Sequence, residues 1–194
     1  MKHMYKNYLL ILVMFMGMVP AIAQKYKAQS NNLIETSYQG HAFSSQKNLA
    51  ENLEGLTGYS VFQELFASEA IQAIFAEDFM GTVFVLSDQM FNDESNPERS
   101  NLLAFPENKV KLVKFLVVPG RLDRHSMERA VSRGRGTTAF ATLDGQKLQI
   151  TKVGEQLQLT DEAGNTATIV GTNFYHKQGF FHLADGIVIP NSIK

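Results

Sequence analysis

The chain has no cysteine, no tryptophan and only five prolines in 194 residues. Without cysteine there is no disulfide framework, no thiolate nucleophile, no thiolate metal ligand and no lipid attachment at a cysteine. Serine-based acyl transfer has no Gly-x-Ser-x-Gly elbow to use. His41, His125, His176 and His182 stand at no H-x-x-x-H or H-x-H spacing, so no histidine metal site is written into the chain. Asp88, Asp93, Glu94 and Glu98 form an acidic stretch, yet the alternating oxygens and central glycine of a calcium loop are missing. No apolar run reaches the ~20 residues of a membrane span. These absences predict no catalytic residue, no metal and no cofactor.

What is present begins with an address. Lys2, His3 and Lys6 precede an apolar run from Tyr8 to Met18, then Pro20 and the small-residue pattern Ala21-Ile22-Ala23. That order predicts a signal peptide over residues 1–23 with cleavage before Gln24, hence an exported protein, periplasmic or secreted, with no membrane span after cleavage. A cysteine-free exported chain fits a bacterial origin. Residues 24–46 are rich in Gln, Ser and Asn, with Leu33, Ile34, Tyr38 and Phe43 as the available anchors, and read as a flexible or loosely docked leader. Residues 47–190 are the folded domain, and 191–194 a short tail.

Charge is unevenly spread. Residues 24–108 carry 4 basic and 12 acidic side chains, residues 109–135 carry 8 and 2, and residues 136–194 carry 4 and 5. Within the basic segment lie Arg121, Arg124, Arg129, Arg133 and Arg135. Arg129 and Arg133 share a face if Ser126 caps a short helix. Two readings stay open: a solvated face answering the acidic half, or a patch for an anionic glycan, an envelope polymer or an acidic partner. The mildly acidic total and the lack of interleaved aromatics argue against nucleic acid.

Helical spacing runs through Leu49, Leu53 and Leu56, through Val61, Phe62, Leu65 and Phe66, and through Ile71, Ile74 and Phe75. "TVFVLS" (82–87) then reads as a buried strand. Helical spacing returns from Lys109 to Phe115 and stops at Pro119-Gly120. Beyond Gly136 the chain is strand-like, with Asp144-Gly145 and Gly164-Asn165 as turn signals. The order is helices first and strands second, an α+β domain.

Three segments, in order, resemble a known family. "GTVFVLSDQMF" (81–91), "LVKFLVVPGRL" (112–122) and "GFFHLADGIVIP" (179–190) are similar to the signatures of fasciclin-like (FAS1) domains. The resemblance implies helices followed by a wedge-shaped β-sandwich, with Thr82, Asp88, Phe91, Pro119, Gly120, His182, Asp185 and Gly186 as structural motif positions. Val85-Leu86 stands where the family commonly has Ala-Pro. Phe115-Leu116 stands where many members have Tyr-His, the pair associated with integrin adhesion in animals, so that activity is not carried over. His182 and Asp185 lie three apart on one strand and face opposite sides, which makes no catalytic dyad unless a bulge at Asp185-Gly186 restores one, and a dyad would still need a nucleophile. His182 reads as a structural ring donating to a backbone carbonyl or a neighbouring loop where helices meet the sheet. The resemblance implies an exported binding or adhesion module at the cell envelope or extracellular matrix, its partner a polysaccharide or a protein and its oligomeric state open. A carrier of a small hydrophobic ligand, held in a cavity between helices and sheet, is the rival reading.

Overall fold

The computed structural model describes residues 33–75, 79–91, 102–191 and 193. The signal-like segment and the polar loop around Pro97 lie outside these residues.

A hairpin comes first, β1 (Glu35–Tyr38) and β2 (His41–Ser44), followed by α1 (Leu49–Leu53), α2 (Ser60–Ala67) and α3 (Glu69–Gln72). Next come β3 (Gly81–Leu86), a 3-10 turn (Asp88–Phe91), α4 (Pro106–Phe115), β4 (Val117–Pro119) and α5 (Arg124–Arg133). The chain closes with β5 (Thr137–Ala141), β6 (Lys147–Val153), β7 (Gln156–Thr160), β8 (Thr166–His176) and β9 (Gly179–Gly186).

Two helix starts have a local chemical reason. Asn48 and Glu51 form a reciprocal capping box on α1: Asn48 Oδ1 accepts from the Glu51 N–H at 2.8 Å, and the Asn48 N–H donates to Glu51 Oε2 at 2.7 Å. Pro106 occupies the first turn of α4, where no N–H is missed. The residue preceding α2, Tyr59, has no capping side chain, and the cap arrives from far along the chain. The Asp88 carboxylate accepts from the Ser60 and Val61 N–H groups, each at 2.9 Å, and from the Ser60 hydroxyl at 2.8 Å. Asp88 therefore ties the exit of β3 to the start of α2.

Seven strands form one sheet in the order β4-β3-β9-β8-β7-β6-β5. β3 and β9 pair in parallel and every other pair is antiparallel. All six residues of β3 are buried, which is why its sequence is a continuous apolar run rather than an alternation. β6 begins instead with alternating exposed and buried residues, Leu148 and Ile150 pointing inward. The sheet curls until its ends nearly meet, where the Leu143 N–H, just past β5, donates to the Val117 carbonyl of β4 at 2.9 Å. The fold is thus α+β, helices plus a nearly closed sheet. The two layers of the expected sandwich are the two ends of one curled sheet.

The first hairpin falls within the stretch 24–46 that reads as a flexible or loosely docked leader. Residues 35–44 form the hairpin, and Phe43 is 1% exposed, set against Phe174 (4.6 Å between centroids) and Phe181 (5.0 Å). Burying a phenyl ring contributes roughly 2–3 kcal/mol, enough to fix a short hairpin that its polar neighbours could not. Asn52 holds the same segment: Oδ1 accepts from the Ser44 N–H at 2.7 Å, and Nδ2 donates to the Ser44 carbonyl at 3.0 Å. In the expected tail, Ile193 is buried and its N–H donates to the Pro190 carbonyl at 3.1 Å.

Candidate functional site: the arginine-bearing helix

The basic segment becomes α5. Its cap is Asp123 rather than the expected Ser126: Asp123 Oδ1 accepts from the Ser126 N–H at 2.7 Å, placing Ser126 inside the first turn. Hydrogen bonds from the Ser126 backbone and hydroxyl hold the Asp123 carboxyl below the usual carboxylate range. Met127 and Val131 are buried at a spacing of four and dock the helix. On the outer side, His125, Arg129 and Arg133 recur at the same spacing and are exposed. Arg135 follows, exposed, with φ +60° in the turn that leaves the helix.

The five candidate arginines divide into two groups. Arg121 lies over the Phe180 ring at 4.4 Å and near Tyr175 at 5.9 Å, a cation–π arrangement. Arg124 donates from Nε to Glu128 Oε1 at 2.9 Å and from Nη2 to the Glu155 carbonyl at 2.8 Å. Both side chains are thus engaged with the domain. Arg129 makes one long contact, 3.4 Å to Ser126 Oγ, while Arg133 and Arg135 have no hydrogen-bond or ion-pair partner among the described residues. Of the five, Arg129, Arg133 and Arg135 are those without an ion pair or a ring contact among the described residues.

Three motif segments converge on the peptide unit just ahead of this helix. Thr82 Oγ1 donates to the Gly120 carbonyl at 2.9 Å and accepts from the Leu122 N–H at 2.8 Å. The Leu122 carbonyl accepts from His182 Nε2 at 2.8 Å. His182 Nδ1 accepts the Asn173 N–H at 3.3 Å, which leaves the ring proton on Nε2. The ring is fully buried and lies 5.6 Å from the Phe84 ring, nearly parallel to it. Burial pushes its pKa down to about 4, against the favourable Leu122 bond. Leu122 is therefore gripped on its N–H by β3 and on its carbonyl by β9, one residue before the cap that starts α5.

The remaining motif residues also contact neighbouring elements. The Gly120 N–H donates to the Met80 carbonyl at 2.8 Å, and Pro119 pairs with Gly81 at the end of β4. Phe91 lies 6.0 Å from Phe62. Asp185 is exposed and accepts from the Ser87 hydroxyl at 2.7 Å. That hydroxyl is turned to Asp185, and no serine oxygen contacts the His182 ring among the described residues. At Gly186, φ +121°, a Cβ would meet the Thr166 carbonyl oxygen at 2.5 Å.

Asn173 is the residue that sequence reasoning missed. Its φ is +63° inside the long strand β8, at an irregular stretch of the β8–β9 pairing, and its Oδ1 accepts the Arg124 N–H at 2.8 Å. Asparagine tolerates this left-handed backbone better than other residues with side chains, the one signal that could have marked it. Among the described residues no group of three or more His, Asp or Glu is placed to hold a metal, and no helix is long and apolar enough to cross a membrane.

No curated protein matches the chain. Its structure is similar to that of a FAS1 domain pair from the insect cell adhesion molecule fasciclin I, with a TM-score of 0.54 and 13% identity over 69% of this chain and 46% of that one. The chain thus spans under half the length of that domain pair. The fasciclin domain model matches residues 57–190, well over half of the chain and including all three signature segments. The chain belongs to the fasciclin domain family.

Proposed function

We propose that this chain is an exported fasciclin module that binds an anionic polysaccharide of the cell envelope or extracellular matrix through the outer face of α5. One observation carries the reading: Arg129 and Arg133 on α5, and Arg135 in the turn that leaves it, are exposed and make no ion pair among the described residues, and the start of that helix is clamped by three strands. Arg129 and Arg133, four residues apart on that face, are about 6 Å apart along the axis. Salt confines each charge to about 8 Å, so the acidic regions elsewhere do not cancel this local field. Guanidinium groups also pair two oxygens of a sulfate or carboxylate at once. Export rests on the signal-like residues 1–23.

The wild-type protein is expected to be retained on a dextran sulfate column in low salt and released as salt rises. Replacing Arg129, Arg133 and Arg135 with Ser should abolish retention without lowering Tm, because none of the three is packed. Lysine at the same positions should give intermediate retention. Unchanged retention in a folded triple-serine variant would overturn the proposal.

A further inference from the structure

Asp185 stands at the junction of two adjoining recesses, of about 180 and 170 Å3, both of which it lines together with Gln89. We infer that they bind a protonated amine carried on a hydroxylated ring, an amino sugar, at a site independent of the arginine face. The larger recess lies among the β1–β2 turn, the Thr57-Gly58 turn before α2, the exit of β3 and β8. The smaller lies between the 3-10 turn and the end of β9. Each is comparable to a cavity of about 150 Å3 that accepts one six-membered ring.

The carboxylate sets the preference for a cation. Asp185 is exposed; its Oδ1 accepts from the Ser87 hydroxyl at 2.7 Å, and its Oδ2 has no hydrogen bond or ion pair among the described residues. Among those residues no lysine, arginine or histidine lines either recess. The negative field reaches the Tyr59 hydroxyl on the wall, whose pKa is raised by burial first, then by Tyr38, and also by the charges of Asp185 and Asp88. Asp88 has both of its own oxygens committed to the start of α2, which leaves Asp185 to receive a ligand. An anion would meet like charge here, whereas an ammonium gains a charge-assisted hydrogen bond at Oδ2.

The rest of the lining suits a sugar ring. Gln39, Thr57 and Gln89 are exposed and offer neutral donors and acceptors to hydroxyl groups. Gln39 Nε2 already donates to the Tyr38 hydroxyl at 3.2 Å, which holds that amide at the recess. Val170 supplies an apolar contact for the C–H face of the ring. It is the extra residue of a bulge, where the β8–β9 pairing passes from Ile169 opposite Ala184 to Gly171 opposite Leu183, and it is 38% exposed. A bulge re-aims a side chain, and this one sets an apolar group in the same recess as a carboxylate. A bare alkylammonium would pair with Asp185 and leave the amides to water. A neutral sugar would do the reverse.

Methyl glucosaminide is the probe, with methyl N-acetylglucosaminide and cyclohexylamine as controls, each titrated into the protein by 1H–15N NMR. The probe should shift the amides of Gly58, Gln89, Val170 and Asp185, leave those of α5 in place, and bind about tenfold more tightly than either control. Asp185→Asn keeps an acceptor for the Ser87 hydroxyl and removes the charge, so it should bring the probe down to the affinity of the N-acetyl control. If that variant does not fold, the ranking of the three ligands on the wild-type protein decides. No binding of the probe, equal binding of either control, or unchanged binding in a folded Asp185→Asn would overturn the inference.

Discussion

Lowering the pH from 7 to 5 is expected to remove about 4 kcal/mol of folding stability, about 2 kcal/mol for each of two buried imidazoles. His176 and His182 ordinarily titrate near 6.5, and in the fold both are pushed down to about 4. Between those values the unfolded chain binds a proton at each ring and the folded chain does not. The unfolded state therefore gains as protons become available, and stability falls as pH falls. The contribution is fully present above 6.5 and is lost progressively toward 4. Around His182, Asp123 favours the charged ring and Arg124 opposes it, but desolvation outweighs both. Urea unfolding at the two pH values measures the loss. His182→Gln retains a donor for the Leu122 carbonyl and an acceptor for the Asn173 N–H without titrating, so it should halve the pH dependence. Equal stability at pH 7 and 5, or an unaltered pH dependence in His182→Gln, would contradict the neutral, buried rings.

Gly179→Ala should be more damaging than any surface change, removing about 4 kcal/mol or more. Gly179 opens β9 with φ +139°, and a Cβ there would stand 2.0 Å from the Gly81 carbonyl oxygen and 3.1 Å from the Gly81 N and C. Those atoms are backbone of the neighbouring strand, which cannot rotate aside. Gly81 is itself hemmed in, because a Cβ on it would meet the Phe79 ring at 2.5 Å. Moving β9 to make room would pull Phe181 and His182 out of register with β3, since Val83 faces Phe181 and Phe84 faces His182. Gly120→Ala is the control: φ is +88°, but nothing lies within 4 Å of the added methyl, so about 1–2 kcal/mol of backbone strain is the whole cost. Denaturation midpoints, or soluble yield where Gly179→Ala does not fold, separate the two. A Gly179→Ala protein as stable as Gly120→Ala would mean that the β3–β9 pairing is looser than described.

The central strands were legible because their chemistry is local. A fully buried strand needs a continuous β-branched and aromatic run, and residues 82–86 are one. The turns at Asp144-Gly145 and Gly164-Asn165 announce themselves through residues that accept positive φ, as both glycines do. The β1–β2 hairpin escaped because its strands are four residues long and only Phe43 is deeply buried. Its two-residue loop, Gln39-Gly40, has positive φ at both positions, and that dipeptide was the available clue. The candidate face was half legible. Five arginines can be counted in the chain, but Arg121 over Phe180 joins residues 59 positions apart, and no local spacing records such a contact. The Asp123 cap was within reach, since an aspartate three residues before a serine offers its carboxylate to that N–H as readily as Ser126 offers its hydroxyl further on.

The most direct measurement is a 1H–15N NMR titration of residues 24–194 with sucrose octasulfate, a compact polysulfate, at low ionic strength. The amides of residues 124–136 should shift first and return toward their free positions as salt is added. Those around Asp185 and the β1–β2 hairpin should stay in place. Shifts centred on another face, with α5 silent, would contradict the assignment of this helix as the binding surface.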